Sequence, residues 1–401
     1  MNRYHSLDAV RAFALIAGIF LHATFSFLPG MREANWPISD DSSSLPLAAI
    51  FFVVHIFRMS LFYAIAGFFA HMLLERLGAW GLVKNRLRRI ALPFVVALVV
   101  VMPMLFPAFL WGQKQLGMTG PPTLEVPFPD PHMPPWGHLW FLYLLLVLYA
   151  LWMTVRAGVV ALDRRGRLMS GLDRVFAFLV SSRVSPVFFA LPVTLVLYYT
   201  PWWQMWSGIP TPVMGLIPNF PALLAFGMAF AFGWFLSRQP ESLDALERDW
   251  LPNLCIALLL SIVAIAIIGV HPRFYDYDLP QLERIAYAIS YNFAVWFWMF
   301  GLVGAASRFL ANPNPAWRYL ADASFYMYIL HLPIVNTLQA WMIRWPVHWS
   351  VKYALIIVIT MGVLLMSYHY LVRSTFVGQF LNGRRYPRGS RAVATPDASP
   401  G

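Results

Sequence analysis

The chain has 401 residues, of which 59% are hydrophobic and only 12% are charged, and its mean hydropathy is +0.61. This excludes an ordinary soluble domain, which is about half apolar and about a quarter charged, and indicates a protein of the lipid bilayer. In a soluble protein a net charge of +11 would indicate nucleic-acid binding. Here the basic residues lie between apolar runs, so we expect no nucleic-acid partner. The single cysteine, Cys255, excludes an intrachain disulfide and a thiolate metal cluster, and no bound metal is expected.

About ten apolar runs follow one another along the chain, and each suits the ~20 residues that a helix needs to cross the hydrocarbon layer. They lie near residues 8–28, 47–74, 90–110, 138–156, 186–200, 220–237, 251–270, 284–307, 319–343 and 351–372. The sequence therefore predicts an all-α fold, a polytopic integral-membrane bundle of about ten transmembrane helices. We expect one integral-membrane domain over residues 1–380 and a disordered cytoplasmic tail over 381–401.

The loops between the runs differ in charge in an alternating manner. Basic residues concentrate after the second, fourth, sixth and eighth runs and in the tail, for example in RLRR at 86–89 and DRRGR at 163–167. Cytoplasmic loops carry an excess of Lys and Arg, so this pattern places both termini in the cytoplasm. The predicted location is the bacterial inner membrane, with membrane lipid as a partner.

The first run, SLDAVRAFALIAGIFLHATFSFL, carries three ionisable residues. Asp8, Arg11 and His22 fall on one helical face, because steps of three and of eleven residues return to nearly the same side. Asp8 can pair with Arg11, and His22 lies about 16 Å farther along the axis at ~1.5 Å per residue. Ionisable groups within a membrane helix are costly and usually functional. A histidine that is hydrogen-bonded between helices is the structural alternative.

The second run places His55 and Arg58 on one face, three residues apart. If this helix runs inward, His55 lies about 12 Å below the outer surface at ~1.5 Å per residue, a depth similar to that of His22. Arg58 has no acidic neighbour in the sequence, and an unpaired buried guanidinium suits an anionic ligand. The two helices thus outline a polar chamber, although structural pairing alone would also explain Arg58.

Basic residues crowd the start of the third run, at Lys84, Arg86, Arg88 and Arg89. They fit positive-inside anchoring and a phosphate site equally well, because guanidinium groups bind phosphate oxygens in a bidentate manner. The later runs place further polar or aromatic side chains at membrane depth, namely His138, Trp140, Tyr291, Asn292, Ser324, Tyr328 and His331. No P-loop, GxSxG elbow or HExxH zinc site is present. Histidines above a basic inner mouth favour acyl transfer across the bilayer.

Several of these segments resemble the membrane acyltransferase-3 family. LDAVRA followed by His22 resembles its Arg-ten-His pattern, RLRR its Arg-x-x-Arg element, and SFYMYILH its late Ser-Tyr-Leu-His segment. HIFRMSLFYAIAGFFAHMLLERL and HLWFLYLLL are similar to the glucans biosynthesis branch of that family. In that branch serine is usual before Gly-Tyr-Phe, where this chain has Ala66. The resemblance spans essentially the whole chain, and its most specific motifs lie in the first four runs.

The resemblance implies an enzyme that takes an acyl group from cytoplasmic acyl-CoA and esterifies a carbohydrate on the periplasmic side. Acyl-CoA is then a co-substrate, and no permanently bound cofactor is expected. For the glucan branch the acyl group is succinyl and the acceptor is a periplasmic glucan, and other glucan biosynthesis proteins are candidate partners. By analogy His22 is the catalytic histidine, and Arg11, Arg86 and Arg89 serve the donor.

Together, the polar pattern and the resemblance define a predicted site. Its catalytic residues are His22 and His55, and its donor residues are Arg11, Arg86, Arg88 and Arg89. Its acyl-group or substrate pocket comprises Arg58, His138, Trp140, Asn292, Ser324 and His331. His22 is expected to act as a general base on a sugar hydroxyl, and an acyl-histidine intermediate stays open.

Other functions also stay open at this point. Acetylation of another surface polysaccharide is the nearest enzymatic alternative. A secondary transporter or a lipid-linked sugar flippase also needs buried charge and a midplane cavity, although the sequence has no clear inverted repeat. A sensor or scaffold protein has no need for two histidines at matching depth.

Overall fold

The structure is a computed structural model that describes residues 4–119, 136–273, 279–382 and 386. Within these ranges the chain forms helices and no β-strand, so the all-α prediction is confirmed. The helices are α1 (His5–Thr24), α2 (Leu45–Arg86), α3 (Leu92–Leu116), α4 (Trp140–Leu162), α5 (Arg167–Ser181), α6 (Ser185–Tyr198), α7 (Phe220–Arg238), α8 (Ser242–Arg248), α9 (Trp250–Ile268), α10 (Gln281–Phe309), α11 (Pro315–Met342), α12 (Trp349–Ser367) and α13 (Phe376–Asn382).

Among the described residues, seven helical stretches are long and apolar enough to cross a membrane, or eight if the pair α5–α6, bent by 107°, forms one span. The chain is therefore a multi-pass membrane protein. Each of the predicted runs falls on a helix, namely α1, α2, α3, α4, α6, α7, α9, α10, α11 and α12. The two counts differ because α2 and α3 form one continuous stretch, α6 has only 14 residues, and α11 is rich in polar side chains. The number of spans and the side of the termini stay predictions.

Helix α2 is broken near its C-terminal end. Gly78 has φ 69° and ψ 176°, a conformation that glycine adopts without a steric penalty. After the break, a short segment with the exposed Trp80 leads into a π-helical turn at Leu87–Ala91. The break separates the membrane-crossing part of α2 from the segment that carries the RLRR motif. It also explains how one helical stretch contains two predicted runs.

Small residues bring α2 and α7 into backbone contact. A Cβ atom on Gly67 would lie 1.9 Å from the carbonyl oxygen of Phe230, and one on Gly233 would lie 1.7 Å from that of Ala64. Without a hydrophobic driving force between helices in lipid, such close approach is a main source of helix association. The two glycines therefore fix the position of α2, which carries Arg58.

Helix α1 packs against α2, α10, α11 and α12, so its polar face is enclosed by the bundle. The connection from α1 to α2 is held by a buried ion pair in which Lys352 Nζ lies 2.5 Å from Asp40 Oδ2. Burial raises the pKa of the Asp40 carboxyl, and its hydrogen bond from Lys352 opposes the rise. The pair joins this loop to the first turn of α12.

The proposed tail over residues 381–401 lies mostly outside the described residues. Of the part that is described, α13 extends to Asn382. Tyr386 donates a hydrogen bond of 2.6 Å to Asp322 of α11, and its ring lies 4.6 Å from the guanidinium carbon of Arg373. The division at residue 380 stays a prediction.

Candidate active site

The polar face of α1 has the arrangement that its spacing predicts. Arg11 lies 3.1 Å from Asp8, and it also donates to the carbonyl oxygen of Ala321 in α11 at 3.5 Å. Its guanidinium carbon lies 5.4 Å from the ring of Phe69. The hydroxyl of Ser324 donates to the same Ala321 carbonyl at 3.0 Å, so Ser324 belongs to the surroundings of Arg11.

His22 lies in the last turn of α1, and its half-buried ring stacks on Phe25 at 5.6 Å. The amide of Gln339 in α11 donates to the backbone carbonyls of His22 and Ala23 at 3.2 and 3.1 Å. The His22 carbonyl also accepts from the backbone amide of Phe25, so the bonds from Gln339 reinforce the C-terminal end of α1. They hold the backbone of the predicted catalytic histidine against α11.

Three histidines from three different helices or turns form a cluster. The ring centroids of His22 and His331 are 5.1 Å apart, and those of His331 and His138 are 5.6 Å apart. His138 lies in the short turn before α4, and His331 lies in the middle of α11. The sequence predicts these residues for one pocket, and the structure brings them together.

The rings of His138 and His331 are both held by backbone carbonyls of α11. His331 Nδ1 lies 2.6 Å from the Tyr328 carbonyl, and His138 Nε2 lies 3.3 Å from the Ile329 carbonyl. Tyr328 in turn donates its hydroxyl to the His138 carbonyl at 2.6 Å. His331 Nε2 and His138 Nδ1 are buried and have no hydrogen-bond partner among the described residues.

Arg58 is buried beside the histidine cluster. A Cβ atom added to Gly18 would lie 2.4 Å from a terminal nitrogen of Arg58, so the guanidinium rests against the backbone of α1 one turn before His22. It is close enough to interact electrostatically with His22 and with Tyr328. Over the described ranges it forms no ion pair with a carboxylate, and its Nε atom has no hydrogen-bond partner. A buried guanidinium without a carboxylate is a candidate anion site.

His55 belongs to a group of aromatic side chains next to the histidine cluster. Its ring stacks on Phe51 at 5.3 Å, and Phe51 contacts both Phe25 and Trp206. His55 also has a hydrogen bond to the backbone of Ser207. A series of ring contacts leads from His55 through Phe51 and Phe25 to His22, and His55 also interacts electrostatically with His22. The role of His55 as a second catalytic residue stays a prediction.

The connection between α6 and α7 folds back onto α10, which the sequence analysis missed. Gly208 has φ +68°, and a Cβ atom there would lie 1.9 Å from the hydroxyl of Tyr291. That hydroxyl accepts a hydrogen bond of 3.3 Å from the amide of Ile209, while the hydroxyl of Tyr287 donates to Met205 at 2.5 Å. The glycine followed by a proline two residues later was the available signal for this tight loop.

Two predicted pocket residues are buried elsewhere in the bundle. Trp140 packs against Phe226, with ring centroids 5.7 Å apart, so it contributes to the contact between α4 and α7. Asn292 donates to the Ala288 carbonyl of its own helix at 2.8 Å, and its buried Oδ1 lacks a partner within the described part of the chain. Neither residue has a described contact with the histidine cluster.

A basic cleft of about 600 Å³ lies where α2 turns into α3. Its cations are Lys84, Arg88 and Arg89, and it is completed by side chains of α13 such as Phe376 and Gln379. No described residue forms an ion pair with these three cations. The π-helical turn that carries the two arginines is a feature often found at functional sites.

Arg86, the first arginine of RLRR, does not line this cleft. Its guanidinium carbon lies 4.9 Å from the ring of Tyr149 in α4, and its buried Nε lacks a described hydrogen-bond partner. The structure thus divides the predicted donor set, because Arg88 and Arg89 face one cleft while Arg86 packs against α4. Arg11 lies apart from both, in contact with α11.

Comparison with known proteins places these features in a family. The model of the acyltransferase-3 family, described as an acyltransferase domain, matches residues 4–369. Glucans biosynthesis protein C of Shigella dysenteriae serotype 1 (strain Sd197) is 25% identical over 346 residues, which are 83% of this chain and 82% of that protein. Glucans biosynthesis protein C of Escherichia coli (strain K12) matches with the same identity and coverage. No solved structure gives a significant match. The chain is an acyltransferase that belongs to the acyltransferase-3 family.

Proposed function

We propose that this protein is an O-acyltransferase of the bacterial inner membrane that moves a succinyl group from cytoplasmic acyl-CoA to a periplasmic glucan. Support for the glucan comes from the names of the similar proteins, which match over most of their length. The single observation that carries the succinyl group is the buried guanidinium of Arg58 beside His22, without a carboxylate partner in the described chain. Both termini are then cytoplasmic, and the basic cleft faces the cytoplasm.

The reaction needs one base and one leaving group. The oxygen of a sugar hydroxyl attacks the thioester carbonyl carbon of acyl-CoA while His22 accepts the hydroxyl proton. The new C–O bond forms as the C–S bond breaks, and the CoA thiolate leaves with the proton returned by His22. The ring of His22 is half-buried, and the bonds from Gln339 hold the backbone of His22 and Ala23 against α11, which favours a fixed position of this residue.

The distal carboxylate of a succinyl group matches the chemistry of Arg58. A guanidinium binds a carboxylate through two parallel N–H···O bonds, and the pairing is strong where water is excluded. An acetyl group has no such carboxylate. Arg58 is therefore proposed as the residue that selects the acyl group, with His22 one helical turn from Gly18, where the guanidinium rests.

The donor is proposed to enter from the basic cleft. Lys84, Arg88 and Arg89 have no ion-pair partner among the described residues and offer three cations for the CoA phosphates, and Asn85 adds a polar side chain. The pantetheine arm then passes the level of Arg11, which lies about 16 Å from His22 along α1 at ~1.5 Å per residue. Arg86 supports this path from the side of α4 through its contact with Tyr149.

The proposal is tested by acyl transfer with purified protein in liposomes. Radiolabelled succinyl-CoA or acetyl-CoA is supplied with periplasmic glucan to the wild type, Arg58→Leu and Arg58→Lys. We expect the wild type to label glucan from succinyl-CoA. In Arg58→Leu the rate of succinyl transfer should be at least about tenfold lower, and the rate of acetyl transfer should fall less. Arg58→Lys keeps the charge without the bidentate fork and should fall between them.

If Arg58→Leu lowers the rates of succinyl and acetyl transfer by the same factor, Arg58 has a structural role only. Label from acetyl-CoA alone would identify an acetyltransferase. Glucan movement across the membrane without consumption of acyl-CoA would favour a transporter instead.

A further inference from the structure

The hydrogen bonds of His138 and His331 determine which ring nitrogen carries the proton. A carbonyl oxygen only accepts, so His331 Nδ1 must donate to Tyr328 and His138 Nε2 must donate to Ile329. In a neutral imidazole the other nitrogen is then an acceptor. Each ring therefore presents a lone pair, on Nε2 of His331 and on Nδ1 of His138.

These two acceptors have no donor of their own. Both atoms are buried, and nothing in the described part of the chain donates a hydrogen bond to either. Buried polar groups in proteins are nearly always satisfied, and the exceptions call for a ligand or a functional explanation. The two rings lie 5.6 Å apart, and the His331 ring lies 5.1 Å from that of His22.

We propose that His331 Nε2 and His138 Nδ1 form a subsite for the acceptor sugar, each accepting a hydrogen bond from a sugar hydroxyl. This inference rests on the proposed function, and it names the part of the site that holds the acceptor. The two residues position the sugar so that the hydroxyl to be acylated reaches His22. The proton of that hydroxyl goes to His22, and the two subsite residues take no proton in the reaction.

The chemistry of the site selects neutral hydroxyl donors. An anionic group has no proton to donate to either lone pair. A protonated amine could donate, but it would face the nearby guanidinium of Arg58. Polyols offer several hydroxyls on adjacent carbons, so they can satisfy both histidines while presenting a third hydroxyl to His22. The ligand class that we infer is therefore an uncharged sugar with several free hydroxyls.

Amide substitutions separate the acceptor role from a structural role. Asparagine places its amide near the position of Nδ1, and glutamine places its amide near that of Nε2. His331→Gln and His138→Asn therefore keep an acceptor where the bare nitrogen lies, but lose the bond to α11. His331→Asn can still donate to the Tyr328 carbonyl, and His138→Gln can still donate to the Ile329 carbonyl. Both variants lose the acceptor at the position of the bare nitrogen. The two pairs are matched in composition.

The experiment measures the KM for periplasmic glucan and for acyl-CoA, together with glucan binding by calorimetry in detergent without a donor. We expect His331→Gln and His138→Asn to stay within about threefold of the wild-type glucan KM. His331→Asn and His138→Gln should raise it by about tenfold or more, with no change in the KM for acyl-CoA. The dissociation constant for glucan should show the same crossed pattern, in which His331→Gln and His138→Asn bind like the wild type and His331→Asn and His138→Gln bind more weakly.

The reverse pattern, or an equal effect of all four substitutions, would overturn the subsite even if the wild type transfers acyl groups. A crossed pattern in glucan binding by a protein that transfers no acyl group would support the subsite and refute the proposed reaction. If the wild type neither binds nor acylates glucan, both proposals fail. Because each histidine has its own pair of variants, misfolding of one variant leaves the other pair to decide.

Discussion

Arg58 and Gly18 show how a single glycine makes room for a buried charge. The guanidinium occupies the space that a side chain at position 18 would fill. Leaving such a charge without a counter-ion is costly, so its retention favours a ligand that supplies the counter-charge. At the scale of single residues, the proposed anion site therefore depends on this contact as much as on the arginine itself.

Replacing Gly18 by alanine should displace the Arg58 guanidinium without removing its charge. The clash is with the end of a flexible side chain, so we expect the protein to fold with nearly unchanged thermal stability. The succinyl-transfer rate should fall by about tenfold, because a shift of about 1 Å at a positioned group can cost as much or more. Gly362→Ala is the control, since a Cβ atom there meets nothing within 4 Å. Unchanged succinyl transfer in Gly18→Ala would argue against the Arg58 site.

The contact between α2 and α7 positions Arg58 at the scale of whole helices. Both glycines at this crossing lie against backbone carbonyls of the opposite helix, which cannot move aside as a side chain can. The crossing is thus sensitive to volume in a way that most helix faces are not.

Gly67→Ala is expected to destabilise the protein by about 1–3 kcal/mol, because its Cβ atom would overlap the Phe230 carbonyl and force the helices apart. Gly227→Ala in α7 is the matched control, since its Cβ atom would make an ordinary contact of 3.5 Å with Leu148. Alanine is the better helix former, so the control should be neutral or slightly stabilising. Thermal unfolding in detergent measures both, and equal effects would contradict the role assigned to the crossing.

The sequence predicts local features of these helices well. The period of 3.6 residues places Asp8, Arg11 and His22 on one face, and the ion pair between the first two is present. It does not predict the contact of Arg86 with α4, or the turn that holds Tyr291 against Gly208. Such contacts join residues far apart in the chain, and they depend on how helices pack and not on their periodicity.

The histidine cluster illustrates the same limit. His138 and His331 are 193 positions apart, and their shared dependence on the carbonyls of α11 follows only from the packed structure. Their placement in one pocket was an expectation from the polar pattern and the resemblance. Which ring nitrogen of His138 and of His331 lacks a hydrogen-bond partner follows only from the position of the α11 backbone.

At the scale of the whole molecule, two polar regions of the described chain carry the proposed reaction. The basic cleft contains Lys84, Arg88 and Arg89, and the histidine cluster lies beyond Arg11 along α1. The proposed donor carries phosphates and the proposed acceptor carries hydroxyls, and two separate regions suit these two kinds of ligand. This arrangement explains why an acyltransferase needs charged residues inside a membrane bundle.

The double variant Arg88→Ala/Arg89→Ala should raise the KM for acyl-CoA by about tenfold and leave the KM for glucan unchanged, since two charge-assisted bonds to phosphate are lost. The increase should shrink at high salt, because salt weakens the exposed ion pairs of the wild type. Arg164→Ala/Arg165→Ala is the control, as both side chains are exposed outside the cleft. If both double variants raise the KM for acyl-CoA by the same factor, the effect is one of general charge, and the cleft is not the donor site.

The central claim is that His22 performs the transfer. The most direct measurement supplies radiolabelled succinyl-CoA and periplasmic glucan to liposomes that contain the wild type, His22→Ala or the control His271→Ala, whose side chain is exposed. The account predicts labelled glucan with the wild type and with His271→Ala, and a loss of at least about a hundredfold with a folded His22→Ala. Transfer by folded His22→Ala at a rate near that of the wild type would contradict it.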